Sequence, residues 1–169
     1  MNLEYKHLLP SDFSSDSRVW IYQSYRLFSL AEALEIEDML NTFTSQWLSH
    51  GAKVKGAGHL FFGQFIVLMA DEKATGVSGC STDSSVRLIK EIESRFGVNM
   101  FDRTTLAFFV KDKIQLLPLS QIQYAFDNRY ISSHTLYFNN LVQTKEELEN
   151  KWIIPIKDSW LSKKITVNV

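Results

Sequence analysis

A chain of 169 residues that is 45% hydrophobic and 13% aromatic, with 7 Gly and 3 Pro, can build a packed core and lacks the marks of a disordered, collagenous or linker-rich polymer. Its 18 Lys and Arg against 19 Asp and Glu leave a formal charge of −1, which removes the electrostatic footprint of nucleic-acid binding or of attachment to an anionic membrane. A lone cysteine, Cys80, excludes an internal disulfide and a Cys-rich zinc site and fits a reducing compartment, so a cytoplasmic location is expected.

The start, Met1 to Lys6, has no cationic residue followed by an apolar run, so no secretory signal is expected. Residues 1–17 gather Pro10 with Ser11, Asp12, Ser14, Ser15, Asp16 and Ser17, whose local hydrogen bonds compete with regular structure. They read as an irregular, loosely attached N-terminal arm, with a single α+β domain over 18–169.

Val19-Trp-Ile-Tyr-Gln-Ser24 is β-branched and aromatic and reads as the first strand. Ser29 followed by Glu32 is a capping box, after which Leu30, Leu34, Ile36, Leu40, Phe43 and Trp47 fall near a 3.6-residue period. That helix is expected to stop at His50-Gly51, with Gly in the left-handed position that closes helices. Two apolar runs, His59 to Phe62 and Phe65 to Met69, flank Gly63-Gln64, for which a type II′ hairpin turn is expected. The longest apolar stretch, Phe65 to Ala70, is far short of the roughly 20 residues that span a bilayer; it reads as a buried strand, with no membrane insertion.

Ser78-Gly-Cys-Ser-Thr-Asp-Ser-Ser85 is rich in helix-capping residues and precedes Val86, Ile89, Ile92 and Phe96, a single helical face closed by Gly97. Leu106 to Val110 and Ile114 to Leu117 flank Lys111-Asp-Lys113, a second hairpin signal. A short helix is expected after Leu119-Ser120, a strand at Leu136 to Phe138, and a capping box at Thr144 and Glu147 ahead of Leu148 and Trp152. From Val19 to Val110 the order is strand, helix, strand, strand, helix, strand. It predicts an α+β protein with a ferredoxin-like βαββαβ core, an antiparallel sheet and a C-terminal βα extension.

Complete catalytic sets are missing. Gly51 and Gly56 have phosphate-loop separation, yet Ala57 and Gly58 stand where that loop needs Lys and a hydroxyl residue to reach phosphate and magnesium. No G-x-G-x-x-G sequence supports a dinucleotide fold. His7, His50, His59 and His134 form no i, i+4 pair, so neither a metal nor any other cofactor is expected.

The segment that can carry chemistry is the run ahead of the second helix. Ser78, Gly79, Ser81, Thr82, Asp83 and Ser84 stand where helix amides and the positive dipole end collect, an arrangement that binds a small anion or an acidic group of a protein partner. The same dipole promotes the thiolate of Cys80, for which His59 is the candidate base and Asp71 or Asp83 its orienting carboxylate. Helix capping alone explains most of the string, and a free Cys is commonly a small buried hydrophobe. A non-catalytic anion-binding or protein-interaction domain is therefore the first expectation, a thiol-dependent enzyme or redox sensor the second. Trp20 and Trp47 read as core residues, whereas Trp160 packs either on its own chain or on a partner.

Five segments, Arg18-Val-Trp-Ile-Tyr-Gln-Ser24, Ser78-Gly-Cys-Ser-Thr-Asp83, Phe96-Gly-Val-Asn-Met-Phe-Asp-Arg103, Phe138-Asn-Asn-Leu-Val142 and Lys157-Asp-Ser-Trp160, carry a resemblance over nearly the whole chain. The chain resembles a group of short bacterial proteins commonly labelled "ABC transporter ATPase". The resemblance implies ATP hydrolysis by that label alone. An ATPase of that class needs the phosphate loop, a Leu-Ser-Gly-Gly-Gln type signature and an acidic strand end for magnesium, and this sequence has none of them.

Overall fold

The structure, a computed structural model, describes residues 1–71, 73 and 79–166, with the backbone alone at 79–81. The elements in chain order are β1 (Arg18–Gln23), α1 (Leu30–Gln46), β2 (Leu48–Ser49), β3 (Ala52–Lys53), β4 (Gly56–Phe61), β5 (Phe65–Ala70), α2 (Gly79–Phe96), β6 (Thr105–Val110), β7 (Lys113–Pro118), α3 (Ile122–Asp127), β8 (Leu136–Phe138), α4 (Lys145–Lys151) and β9 (Ile153–Pro155). The protein is α+β with antiparallel sheets. Where the sequence reads as one domain over 18–169, the chain divides into two compact units. The N-terminal unit comprises Leu3–Phe101 and Val142–Glu149; the C-terminal unit comprises Met1–Asn2, Asp102–Leu141 and Asn150–Val169.

The N-terminal unit is built on a three-stranded sheet in the order β1-β5-β4. Cross-strand partners share a face, so Trp20, Leu68 and Gly58 form one row and Tyr22, Ile66 and Leu60 the next. Those rows pack with Ile36 and Leu40 of α1 and Leu88, Ile89 and Ile92 of α2, which places both helices on that face. The close approach of α1 depends on the glycines in β4: a Cβ on Gly58 would stand 2.9 Å from Leu68 Cδ2 and 3.4 Å from Leu40 Cβ.

The opposite face is covered by the N-terminal arm, which is docked and not loose. A 3₁₀ turn at Lys6–Leu8 is flanked by buried Tyr5, Leu9 and Phe13. Tyr5 meets Phe61 and Phe62 edge-on at 5.9 and 6.2 Å, and its hydroxyl donates to the Leu148 carbonyl at 2.6 Å. Lys55 lies 4.9 Å over the Phe13 ring and donates to the Asp12 carbonyl at 2.8 Å. The Ser- and Asp-rich composition obscured the apolar residues spaced four apart that anchor the arm. With both faces covered, β5 is buried along its whole length, which is why Phe65 to Ala70 is apolar without alternation.

Three local readings change. Helix α1 starts at the expected capping box, Ser29 Oγ accepting from Glu32 N at 3.3 Å and Glu32 from Ser29 N at 2.7 Å. It ends at Gln46, before His50-Gly51, because Trp47 turns to an extended conformation and inserts into a pocket of Val54, Ala70, Trp20 and Phe43. His50 and Gly51, at φ 49° and 79°, form the turn of the β2–β3 hairpin instead. In the β4–β5 hairpin, Phe62 and Gly63 both have positive φ, 54° and 62°, and Gln64 N donates to the Phe61 carbonyl. That is the type I′ pattern one residue earlier than the expected Gly63-Gln64 turn.

The C-terminal unit contains a four-stranded sheet in the order β7-β6-β8-β9. The predicted β6–β7 hairpin is present, its turn made by Lys111 and Asp112 at φ 49° and 60°. Strand β6, read from the sequence as the last strand of the βαββαβ core, pairs with β7 and β8 in the second sheet. The position on the free side of β1 is touched by residues 143–144: Val19 N donates to the Gln143 carbonyl, and Arg18 bridges Thr144. Phe108, Tyr137, Ile156 and Leu161 centre the core of this unit, with Trp160 packed on it. Trp160 thus docks on its own unit, its indole N–H donating to the Tyr137 hydroxyl at 3.2 Å.

Candidate functional site

Helix α2 begins at Gly79, so the expected capping run lies mostly inside the helix. By helix geometry the amides lacking an intrahelical acceptor are those of the first turn, and those of Asp83 and Ser84 are spent within the helix. Ser78 lies outside the described residues, and of Gly79, Cys80 and Ser81 only the helical backbone is described. The Thr82 carbonyl accepts from Ser85 Oγ at 2.7 Å, and Asp83 is exposed. Ser84 Oγ accepts from Arg87 Nη2 at 3.2 Å. Of the expected anion-binding residues whose side chains are described, Ser84 is the one that lines a cavity.

His59 is not presented to α2. It shares a row with Val67 and Ile21, on the face opposite the Trp20 and Tyr22 rows that carry the helices. Its half-buried ring lies 5.7 Å from Phe61, and among the described residues its imidazole makes no hydrogen bond or ion pair. Asp71, the other candidate orienter, is buried and takes Lys55 at 3.5 Å and the Lys73 amide at 3.2 Å. His59 thus lies on the face opposite the one that packs with Leu88, Ile89 and Ile92 of α2, and the Cys80 side chain lies outside the described residues. The stretch from Gly51 to Gly58 forms a hairpin turn and a strand, whereas a phosphate loop must lead into a helix whose N-terminus meets the phosphate.

A surface groove of about 480 Å³ runs between α1 and α2. Met39, Phe43 and Leu88 give it an apolar floor, while Asp38 and Thr42 from α1 and Ser84, Arg87 and Glu91 from α2 line its walls. Sequence spacing concealed it, because its walls lie on helices separated by four strands, β2 to β5. The facing helix carries Glu32, Glu35, Glu37 and Asp38 and no Lys or Arg. Three of these carboxylates are committed. Glu32 takes both terminal nitrogens of Arg26 at 2.8 and 2.9 Å, Glu35 pairs with Arg95, and Glu37 accepts the Leu60 amide of edge strand β4 at 2.7 Å. Arg26 and the Ser29 amide hold the Glu32 carboxyl down at about 2, and Glu32 in turn raises the guanidinium. Asp38 and Glu91 make no hydrogen bond or ion pair among the described residues, so the groove presents two uncommitted carboxylates beside one guanidinium.

Among the described residues no cluster of His, Cys, Asp and Glu is placed to hold a metal ion, and no helix is long and apolar enough to cross a membrane. Comparison with family models, curated proteins and solved structures gives no match.

Proposed function

We propose that this protein is a non-catalytic interaction protein that receives an apolar, basic segment of a protein partner in the α1–α2 groove. The observation that carries the reading is the pairing of an apolar floor, Met39, Phe43 and Leu88, with the uncommitted Asp38 and Glu91 at its rim. Apolar anchors supply affinity in such a groove and rim charges select the partner. The same carboxylates oppose a free anion at Arg87, which favours the protein-interaction branch of the sequence reading over the small-anion branch.

The scaffold for this groove we read as a ferredoxin-like core. The order β1-β5-β4 with two helices on one face matches three strands of that fold, and residues 143–144 stand where its fourth strand would run. The single cysteine favours a reducing, cytoplasmic setting.

The test is a binding titration of the full chain against two amphipathic peptides with the same Leu positions, one carrying Lys and one Glu on the polar face. Sulfate, phosphate and ATP form separate arms. The Lys peptide is expected to bind, and Asp38→Asn with Glu91→Gln to weaken it about tenfold, near 1.4 kcal/mol. Preference for the Glu peptide, or saturable binding of an anion relieved by Arg87→Gln, would overturn the reading. Turnover of ATP above background would do the same and restore the label carried by the resemblance.

A further inference from the structure

The edge of a sheet carries main-chain N–H and C=O groups that a new strand can take, and folded chains usually cover or break such edges. In the N-terminal unit the Leu60 amide of β4 goes to the Glu37 carboxylate, and residues 143–144 meet β1. In the C-terminal unit one edge strand, β9, is three residues long and ends at Pro155. The other, β7, is six residues long, and its outer main-chain groups take no hydrogen bond among the described residues.

The hairpin turn fixes which groups those are. Lys111 and Asp112 make a two-residue turn, so Val110 and Lys113 exchange hydrogen bonds, as do Phe108 with Gln115 and Leu106 with Leu117. The Leu119 amide, donating to the Thr104 carbonyl, continues the same phase. Ile114 and Leu116 therefore turn N–H and C=O away from β6, and Pro118, next in that row, has no N–H to offer. Their half-buried side chains share a face with Phe109 and Ala107, while Lys113, Gln115 and Leu117 lie on the face of Phe108 and Val110.

We propose that two copies of this chain join along β7, antiparallel about a twofold axis at Gln115, so that two four-stranded sheets become one of eight strands. In that register Ile114 of each copy lies opposite Leu116 of the other, and every outward N–H and C=O of both residues is answered. Moving the axis by one residue sets Ile114 opposite Pro118, which lacks an N–H, or Leu116 opposite Asp112 in the turn. The side chains agree with the same register. Ile114 against Leu116 carries the apolar row of Phe109 and Ala107 across the junction, and Gln115 against Gln115 is self-complementary. Lys113 meets Leu117 and stands about 13 Å from the other Lys113, so no like charges are opposed. A foreign strand would have to supply this spacing; a second copy carries it already. The pair closes, because the far edge of each sheet is the short β9 with its proline. The junction makes no use of the α1–α2 groove.

Sedimentation equilibrium of the full chain from about 1 μM to 1 mM is expected to show a monomer–dimer equilibrium. Gln115→Lys and Gln115→Glu each set like charges against themselves at the axis, so each variant alone is expected to associate more weakly than the parent. An equimolar mixture of the two sets opposite charges there, and its heterodimer is expected to be at least about fivefold tighter than either homodimer. Leu116→Pro removes an amide that faces away from β6, so it keeps the β6–β7 ladder and is expected to be monomeric. Far-ultraviolet circular dichroism checks that each variant is folded. A parent that stays monomeric throughout overturns the proposal, including one that captures a synthetic peptide of residues 113–118. Charge variants that associate as tightly as the parent, a mixture no tighter than either alone, or parent-like association of folded Leu116→Pro overturn it too.

Discussion

Gly56→Ala probes the contact that ends α1 and seats Trp47 on the sheet. A Cβ built on Gly56 would stand 2.6 Å from Trp47 Cε3 and 3.0 Å from Cζ3. Ordinary carbon contacts lie near 3.5–4.0 Å, so the indole has to retreat by about 1 Å. It has little room, being 1% exposed, with the tilted rings of Phe43 and Trp20 centred 4.8 and 5.8 Å away. Overpacking of this kind costs about 1–3 kcal/mol. The stiffer unfolded chain returns about 0.4–1 kcal/mol, leaving a net loss of about 1–2 kcal/mol. For a chain of this size that lowers the melting temperature by about 2–8 °C. Urea unfolding followed by circular dichroism measures the loss, and repeating it in a Trp47→Phe background isolates the contact. There the six-membered ring that meets the new methyl is replaced by a smaller group, and Gly56→Ala is expected to cost at least about 1 kcal/mol less. Gly56→Ala as stable as the parent, or equally costly in both backgrounds, would refute the reasoning.

Glu32, whose carboxyl is held at about 2 in the folded protein, binds its proton more readily when unfolded, so its contribution to stability is present above its ordinary value of 4.5 and is lost as pH falls toward 2. Glu32→Gln should flatten the acid limb of the stability profile over that window, and an unchanged limb would contradict the pairing with Arg26. Tyr5, pushed up to about 12 first by burial and then by Glu149 and Glu4, stays neutral in the fold after it would ionise in the unfolded chain. Stability should therefore decline as pH rises from 10 toward 12, and ultraviolet titration should show one tyrosine ionising late that disappears in Tyr5→Phe. Because β4 turns His59 away from α2, His59→Ala should leave the pH dependence of thiol labelling at Cys80 unchanged; a shifted profile would revive the thiol–imidazole pair. Asp83→Ala should cost under about 1 kcal/mol in thermal melts, since this exposed residue lies inside α2 beyond its first turn.

Where a local interaction had no rival, the residues themselves declared the structure. Ser29 and Glu32 close a capping box with groups three positions apart, and Thr144 Oγ1 accepts from Glu147 N in the same manner at 3.2 Å. The turn at Lys111 and Asp112 and the uninterrupted apolar run of β5 are equally local statements. The sequence also revealed which chemistries lack their residues, because a phosphate loop is a contiguous string. It did not reveal that α1 stops at Gln46, since Trp47 gains more by entering the pocket of Val54 and Ala70 than by one further helical turn. Nor did it show that Tyr5, Leu9 and Phe13 anchor the arm, that β6 leaves the first sheet, or that His59 and α2 lie on opposite faces. The α1–α2 groove belongs to this second class, assembled from elements distant in the chain. The division follows from energy scales: a cap or a turn contributes about 1 kcal/mol and depends on neighbours in sequence, whereas burying one large side chain contributes about 1.5–3 kcal/mol and depends on whatever surface the rest of the chain brings to it.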